Sequence, residues 1–135
     1  MLIGGYAVSF HARPRMTQDL DLFLEASVEN SLRLHRALGE FGFGSVFPDP
    51  TIFNDPDLVI VLGQPPVKLD LLTTIPGVSF EESYSRRSTF LWAGVPVQVI
   101  SREDLIQAKR ASGRARDLED VVMLQQTSRP DENPA

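Results

Sequence analysis

Residues 4–25 decide the fold of this chain, and they read GGYAVSFHARPRMTQDLDLFLE. Two adjacent glycines, Gly4 and Gly5, are followed after thirteen residues by two aspartates in the pattern DLDL. On a β-strand, Asp19 and Asp21 point to one face of the sheet while the two leucines point to the other face, toward a core. Two carboxylates on one face repel each other and resist burial, so the pattern indicates that a positively charged ligand belongs between them.

Length and composition predict a single globular domain. The chain has 135 residues, of which 42% are hydrophobic and 23% charged, as in ordinary soluble proteins. No apolar run approaches the roughly 20 residues that cross a membrane, and no export signal is visible, so we expect a cytoplasmic protein. The absence of cysteine excludes disulfides, thiolate catalysis and cysteine-based zinc sites.

The charge balance bears on possible partners. A net charge of −5 and a pI near 4.9 argue against a protein that holds duplex DNA by broad phosphate neutralisation. Basic residues are nevertheless concentrated in KRASGRAR, residues 109–116, and beside the opening motif. Such a run is usually a solvated helix face with ion pairs such as Arg116–Asp120 at i, i+4, but near a nucleotide it can equally guide phosphate or RNA.

The hydrophobic pattern predicts an α+β fold, a small mixed sheet with helices packed against it. A globular domain over 1–126 is followed by a polar tail, 127–135, that we expect to be disordered. The expected strands are 1–3, 19–24, 58–62, 67–72, 88–92 and 95–100, with the third and fourth forming a hairpin. Helices are expected at 4–12, 28–41, from 102 to a break at Gly113, and around 118–124, and 80–87 is either a short helix or a loop.

Details of the helices and aromatic residues are also predicted. Ser27 and Ser101 are suitable N-caps. In the second helix, an apolar stripe of Val28, Leu32, Leu38 and Phe41 is expected to face the core. Trp92 and the scattered phenylalanines are interpreted as core residues rather than as platforms for stacked bases.

A third carboxylate completes the candidate site. Asp70 lies in VKLDLL, another apolar strand, and it joins Asp19 and Asp21 on one face if the two strands pair. Three converging carboxylates suit Mg²⁺ or Mn²⁺, and two such ions roughly 4 Å apart can clamp the oxygens of a phosphoryl transfer. The alternative is that Lys68 and Asp70 form the polar face of an edge strand.

The glycine pair predicts a phosphate site. Glycine at a strand-to-helix turn allows the backbone to approach a phosphate closely, and the N-terminus of the following helix offers free N–H groups. A triphosphate can therefore lie on Gly4 and Gly5 while its metal lies on Asp19 and Asp21.

These motifs together resemble the nucleotidyltransferase signature of the DNA polymerase β superfamily, in which a Gly-Gly or Gly-Ser pair precedes an Asp-x-(Asp/Glu) motif and a later strand aspartate. R-x-T-x-D-L-D-L at 15–22 is similar to small bacterial nucleotidyltransferases, including abortive-infection and toxin–antitoxin types and the group with lincosamide-modifying enzymes. The run SREDLIQAKRASGRARDLEDVVML, 101–124, resembles their C-terminal pattern. The resemblance extends to about residue 126.

The resemblance implies a reaction and roles for the motif residues. Gly4 and Gly5 would hold the phosphates of a nucleoside triphosphate such as ATP, Asp19 and Asp21 would bind metal, and Asp70 would bind metal and help to activate the acceptor hydroxyl. The acceptor oxygen would attack the α-phosphorus and release pyrophosphate. The acceptor is left open as a tRNA end, a protein hydroxyl or a small molecule.

Further expectations concern the cations and two departures from the family pattern. Arg15 or Lys109 would neutralise phosphate charge, and Lys109 and Asp117 match the family's C-terminal pattern. Gly5 replaces a serine that is often second in the pair. Only three residues precede the pair, where the family usually has a helix and a full strand. Either the start is misassigned, or the domain is trimmed, or a second copy in a homodimer or a partner protein covers that edge.

Two other functions are weighed against the enzyme. A non-catalytic module of the same fold, acting as the partner-binding component of a toxin–antitoxin pair, predicts a degraded metal site, which three intact aspartates argue against. A DNA-binding regulator is disfavoured by the acidic pI and the absence of a clear recognition helix. His11 is close to the motif and is compatible with contact to substrate or with a structural role, and His35 is expected at the surface.

Overall fold

The computed structural model describes residues 1–127, which form six strands and five helices. The strands are β1 (Leu2–Ile3), β2 (Asp19–Phe23), β3 (Val59–Gln64), β4 (Val67–Leu72), β5 (Ser88–Trp92) and β6 (Val95–Val99). The helices are α1 (Gly4–His11), α2 (Val28–Glu40), α3 (Phe80–Ser85), α4 (Arg102–Ser112) and α5 (Ala115–Gln126). The α+β class and the expected order of elements are confirmed, and the segment at 80–87 begins as a helix.

All six strands belong to one mixed sheet in the order β3-β4-β2-β1-β6-β5. β2 pairs with β4 and β1 pairs with β6 in parallel, whereas the β1–β2, β3–β4 and β5–β6 pairs are antiparallel. The β3–β4 hairpin is therefore confirmed. β4 lies between β3 and β2, so the alternative that Lys68 and Asp70 belong to an edge strand is wrong.

The register of β2 and β4 divides polar from apolar side chains. Asp21 is directly opposite Asp70, and Asp19 is opposite Lys68. Since successive residues of a strand alternate between faces, these four side chains share one face of the sheet. The alternate leucines of both strands point to the other face, where α2 and the loop after it cover them.

Two apolar clusters hold the elements together. The larger joins α1, α4 and α5 to the β1 and β6 side of the sheet, with Leu2, Val8, Val99, Ile100 and Leu124 among its buried members. The smaller lies between α2, the loop before β3 and the β3–β4 side, with Leu38, Phe53 and Leu71 at its centre. Leu22 of β2 packs against both clusters, so the strand that carries the DLDL motif lies where they meet.

The helix ends follow the sequence expectations. The hydroxyl oxygen of Ser27 accepts a hydrogen bond from the N–H of Asn30, and that of Ser101 accepts one from the N–H of Asp104. α4 ends at Gly113, whose φ of +71° is the left-handed conformation that glycine adopts most readily. Only Gly113 and Arg114 separate α4 from α5, so the two helices are joined without a long loop.

The apolar stripe expected in α2 is wrong except at Leu38. Leu38 is buried, whereas Val28 and Leu32 are about half exposed and Phe41 is 82% exposed. The other fully buried residue of the helix is Ser31, whose hydroxyl donates to the Pro50 carbonyl at 2.7 Å and accepts from the Phe53 N–H at 3.0 Å. A serine with two backbone partners thus takes a core position that hydrophobicity alone assigns to a leucine.

The assignment of Trp92 and the phenylalanines to the core is only partly correct. Phe23 and Phe53 are fully buried, but Trp92 is 48% exposed at the β5–β6 turn. Its ring lies 5.8 Å from that of Tyr6 and 6.3 Å from that of Phe90, measured between centroids. A half-exposed aromatic row therefore extends from α1 to the hairpin tip.

Two sequence expectations concern the ends and the surface of the chain. Thr127 is described, and its hydroxyl donates to the Met123 carbonyl, but the rest of the expected tail, 128–135, lies outside the described residues. Within 1–127, no helix is long and apolar enough to cross a membrane.

Two leucines of α2 provide a matched test of this packing. We expect Leu38→Ala to lower the free energy of unfolding by about 2–5 kcal/mol because it leaves a cavity in the smaller cluster. Leu32→Ala should change it by only about 0.5 kcal/mol, since that side chain is about half exposed and belongs to neither cluster. Urea unfolding followed by circular dichroism measures both, and equal losses would contradict the orientation of the helix.

Candidate active site

The three aspartates expected from the sequence lie together on the exposed face of β2 and β4. Asp19, Asp21 and Asp70 line a cleft of about 320 Å³ that opens between this face and α4. The pairing of β2 with β4 sets their relation, because it places Asp21 and Asp70 at the same level of the sheet. The convergence predicted for the two strands is therefore present, while their role as metal ligands stays a prediction.

Asp21 and Asp70 repel each other in this arrangement. Burial, a hydrogen bond with the adjacent Asp70 and the charges of Asp70 and Asp19 together raise the pKa of Asp21 to about 7, against the opposing effect of Lys68. Asp70 Oδ1 is buried and accepts no hydrogen bond from the described residues. The pair thus carries more negative charge than its immediate surroundings neutralise.

Among residues 1–127, Lys68 is the one cation paired with Asp19 and Asp70, and sequence reasoning gave it no role in the site. Its Nζ lies 3.6 Å from Asp19 Oδ2 and 3.4 Å from both carboxylate oxygens of Asp70. Burial alone would lower the pKa of Lys68, but Asp70 and Asp19 outweigh this and raise it, so the ammonium group stays charged at neutral pH. The signal was available in the sequence, because Lys68 and Asp70 are two residues apart on one strand face.

The glycine pair lies directly against the carboxylates. Gly4 has φ of +67°, and a Cβ added there would overlap the carboxylate of Asp21. It is the first residue of α1, a helix with no side-chain N-cap and no acidic residue in its first turn. The first N–H groups of the helix therefore remain available to an anion beside Asp21.

Thr17 occupies the space that a side chain at position 5 would need. A Cβ on Gly5 would be 2.8 Å from both Cβ and Oγ1 of Thr17 and 3.3 Å from the guanidinium of Arg15. The serine that is often second in the glycine pair is absent here, but the hydroxyl of Thr17, from the R-x-T segment, lies next to Gly5. Sequence reasoning missed this residue, although the motif contains it.

A buried network of ion pairs forms the opposite wall of the cleft. Lys109 Nζ lies 2.9 Å from Asp120 Oδ2 and 3.2 Å from Asp117 Oδ1, and all three residues are buried. Arg15 reaches the same Asp120 oxygen at 3.3 Å. The two cations expected to face phosphate are therefore both present at the cleft, where carboxylates fix their positions. The expected pair of Arg116 with Asp120 is wrong, because Arg15 and Lys109 occupy that carboxylate.

Asp117 connects this network to the exposed basic residues. Burial by itself would raise its pKa, but hydrogen bonds from Ser112, Arg114 and Lys109 outweigh burial and bring the pKa to about 2. Asp117 is therefore ionised at any physiological pH. It holds Arg114, whose side chain is otherwise largely exposed, at the mouth of the cleft.

The cleft continues into a second, basic lobe of about 260 Å³. Both lobes share Gly4, Asp19, Asp21, Lys109, Arg114 and Asp117. The basic lobe adds Gly5, Arg15, Thr17 and Arg116, whereas the first lobe adds mainly apolar residues, among them Leu72, Ile75, Pro76 and Leu105. The carboxylates thus lie between a cationic compartment and an apolar compartment.

Neither histidine belongs to the site. His11 is buried, and its Nε2 lies 2.6 Å from the Ile100 carbonyl, a contact that ties α1 to the end of β6. His35 is partly buried, and its Nε2 lies 2.7 Å from the Phe47 carbonyl. His11 thus has a structural position, and the expected surface location of His35 is only partly correct.

The comparison with protein families decides the family. The sequence model of a family described as "Nucleotidyl transferase of unknown function (DUF2204)" matches residues 1–131, nearly the whole chain. The protein belongs to this nucleotidyltransferase family. A search of curated proteins found no match to the chain. The suspected superfamily is therefore confirmed at the level of a small nucleotidyltransferase.

The side chains of this nucleotidyltransferase fit the divalent cation that the superfamily implies. Asp70 has a buried oxygen without a hydrogen bond, and the charge on Asp21 is poorly neutralised. Within 1–127, no three histidine, cysteine, aspartate or glutamate side chains are arranged to hold a metal ion by themselves. These observations agree for Mg²⁺, which usually takes one or two carboxylates and completes its shell with water and substrate phosphates.

The raised pKa of Asp21 predicts how stability depends on pH in this nucleotidyltransferase without metal. The folded-state pKa of about 7 exceeds the ordinary value of 3.8, so the folded state binds the proton more tightly. The stabilisation is complete below about pH 4 and is lost as the pH rises through 7. In EDTA at pH 8, we expect Asp21→Asn to melt about 5 °C above the wild type, and the difference should shrink toward pH 5.

Differential scanning fluorimetry from pH 5 to 8 measures this difference. Asp57→Asn, which removes an exposed loop carboxylate, is the matched control and should parallel the wild type. If the difference in melting temperature between Asp21→Asn and the wild type is the same from pH 5 to 8, this result contradicts the crowding of the carboxylates.

Proposed function

We propose that the protein is a metal-dependent nucleotidyltransferase that moves a nucleoside monophosphate from a nucleoside triphosphate to a hydroxyl acceptor, with release of pyrophosphate. The observation that carries the proposal is the position of Asp19, Asp21 and Asp70 directly beside Gly4, the first residue of α1. The carboxylates lack sufficient counter-charge and attract a cation, whereas the free N–H groups at the start of the helix attract an anion. A metal–triphosphate complex satisfies both at once.

The basic lobe suits the triphosphate. Arg15, Arg114 and Arg116 line it together with Gly5 and Thr17, and these groups offer the guanidinium, N–H and hydroxyl donors that phosphate oxygens accept. Arg15 is already held by Asp120, and Arg114 by Asp117. Because the carboxylates fix these cations before substrate binds, little side-chain entropy is lost on binding.

The reaction joins the acceptor oxygen to the α-phosphorus and breaks the bond from that phosphorus to the bridging oxygen of pyrophosphate. Asp70 takes the proton of the acceptor hydroxyl, and pyrophosphate leaves toward the basic lobe. Carboxylates of Asp19, Asp21 and Asp70 would provide the protein ligands of Mg²⁺ or Mn²⁺, with water and substrate phosphates completing its shell, and the ion would supply charge neutralisation at the phosphates. Lys109 keeps its side chain at the wall shared by both lobes, where it faces the negative charge that develops.

The apolar lobe is the place for the base or for the acceptor. Leu72, Ile75 and Pro76 line it on one side and Leu105 and Ala108 on the other. We propose ATP as the first nucleotide to test, and a tRNA end, a protein hydroxyl and a small molecule as the acceptor classes. The family description names none of these.

A non-catalytic role in partner binding is the second candidate, and one observation favours it. The β5–β6 hairpin exposes Leu91, Trp92 and Val95 next to Tyr6, and aromatic and aliphatic side chains of this kind are frequent at protein interfaces. A homodimer or a heterologous partner in a toxin–antitoxin pair would use such a surface. The intact carboxylates and the preformed basic lobe are not needed for that role, which places it second.

Loss of both motif aspartates tests the enzyme. We expect the wild type to bind an NTP only with Mg²⁺ and to transfer label from [α-³²P]NTP to an acceptor in a cell extract. Asp19→Asn/Asp21→Asn should lose Mg²⁺-dependent binding by at least about 100-fold and show no transfer, because the anionic ligands are gone while the fold is kept. Isothermal titration calorimetry and label transfer are the measurements.

Asp55→Asn/Asp57→Asn is the control, since it removes two exposed carboxylates with the same spacing from a loop outside both lobes. It should bind and transfer like the wild type. A folded wild type that binds no NTP in the presence of Mg²⁺ would sink the enzyme and favour the partner-binding module.

A further inference from the structure

Lys68 takes a position in the carboxylate cluster that the superfamily resemblance did not assign. It is opposite Asp19 on the neighbouring strand and two residues before Asp70 on its own strand, so all three side chains share one face. Its ammonium group bridges the two carboxylates at 3.4–3.6 Å. The chain has only one other lysine, Lys109, which is engaged by Asp117 and Asp120 across the cleft.

The bridge uses the carboxylate oxygens that a second divalent cation would need. Asp70 has both oxygens at 3.4 Å from Lys68 Nζ, and Asp19 contributes Oδ2. The Lys68 side chain is only 27% exposed, so its charge is poorly screened by solvent. A metal ion shared by Asp19 and Asp70 would have to displace the ammonium group or lie close to a like charge.

Formal charge leads to the same conclusion. Asp19, Asp21 and Asp70 carry three negative charges when ionised, and Lys68 leaves two of them to be balanced. Before a triphosphate binds, a single divalent cation balances these, whereas two such cations beside Lys68 would leave the cluster positive. Asp21 forms no ion pair with Lys68, so within the described residues it is the carboxylate of the three that this ammonium group does not bridge.

We propose that Lys68 is a positioning residue that replaces one of the two metal ions expected from the sequence, so that the cluster binds a single divalent cation. The inference rests on the proposed function. Lys68 holds Asp70 in place beside the acceptor, and the one metal ion belongs to Asp21 and the triphosphate. Asp70, the carboxylate that takes the acceptor proton, is thereby oriented by the ammonium group of Lys68. Because Lys68 is part of the chain, its charge is present at any metal concentration.

Mn²⁺ binding tests the proposal without any turnover. The wild type, titrated with Mn²⁺ alone and then with Mn²⁺ and a non-hydrolysable NTP, should bind one ion per chain by electron paramagnetic resonance. Its spectrum should lack the dipolar broadening of two ions about 4 Å apart. Lys68→Met keeps a side chain of similar shape but removes the charge, which frees the carboxylates of Asp19 and Asp70. The variant should therefore bind Mn²⁺ at least about tenfold more tightly or take up a second ion.

Two variants control for charge and folding. Lys68→Arg keeps a cation on the same strand face and should retain a single Mn²⁺. Arg36→Met removes a positive charge from the exposed side of α2 and should leave Mn²⁺ binding as in the wild type. In EDTA at pH 8, Lys68→Met should melt several degrees below the wild type, and Mn²⁺ should restore more of its stability than it adds to the wild type.

Each outcome is decisive for Lys68. Two coupled ions in the wild type overturn the proposal, even if Lys68→Met does not fold. So does a folded Lys68→Met variant whose Mn²⁺ affinity and stoichiometry match those of the wild type, or which binds Mn²⁺ more weakly. Failure of the non-hydrolysable NTP to bind contradicts the proposed enzyme instead, and titration with Mn²⁺ alone then still tests Lys68.

Discussion

The parallel pairing of β2 with β4 is the constraint on which the rest of the site depends. Because Asp21 is paired with Asp70 in register, two carboxylates must share one face at one level of the sheet. The same register places Leu20 opposite Leu69 and Leu22 opposite Leu71, facing the cluster under α2. A shift of one residue in either strand would bury an aspartate and expose a leucine, so the apolar cluster on one face fixes the spacing of charges on the other.

Two lysines neutralise negative charge at the cleft in different ways. Lys109 is buried between Asp117 and Asp120, and Arg15 adds a second cation to Asp120, so this wall is internally balanced and rigid. Lys68 balances only part of the charge on the opposite wall, where Asp21 keeps a raised pKa. The first wall therefore positions cations for an incoming anion, while the second keeps a demand for a cation. In the function proposed above, that asymmetry would give a metal–nucleotide complex one preferred orientation.

The sequence predicted the sheet, the helix caps and the meeting of three aspartates, because alternation in strands and capping serines are local signals. It misplaced the buried face of α2, since Ser31 takes a core position through hydrogen bonds to a loop 19 and 22 residues away. It also treated Asp120 as half of a surface ion pair, although that carboxylate is buried between two elements. Contacts across long separations, such as Arg15 with Asp120, have no spacing rule that a single sequence exposes.

The crowded carboxylates must be stabilised from elsewhere in the fold. Leu22, which follows Asp21 in β2, packs against both apolar clusters. Gly4 and Gly5 have no side chain that could shield the acidic face. Repulsion between Asp21 and Asp70 therefore acts on the β2–β4 pair, whose other face packs into the smaller apolar cluster. In metal-free protein this repulsion is retained as a cost in folding free energy, and any ligand that brings positive charge to Asp21 relieves it. The affinity of the proposed cation site would in this sense depend on packing on the far side of the sheet.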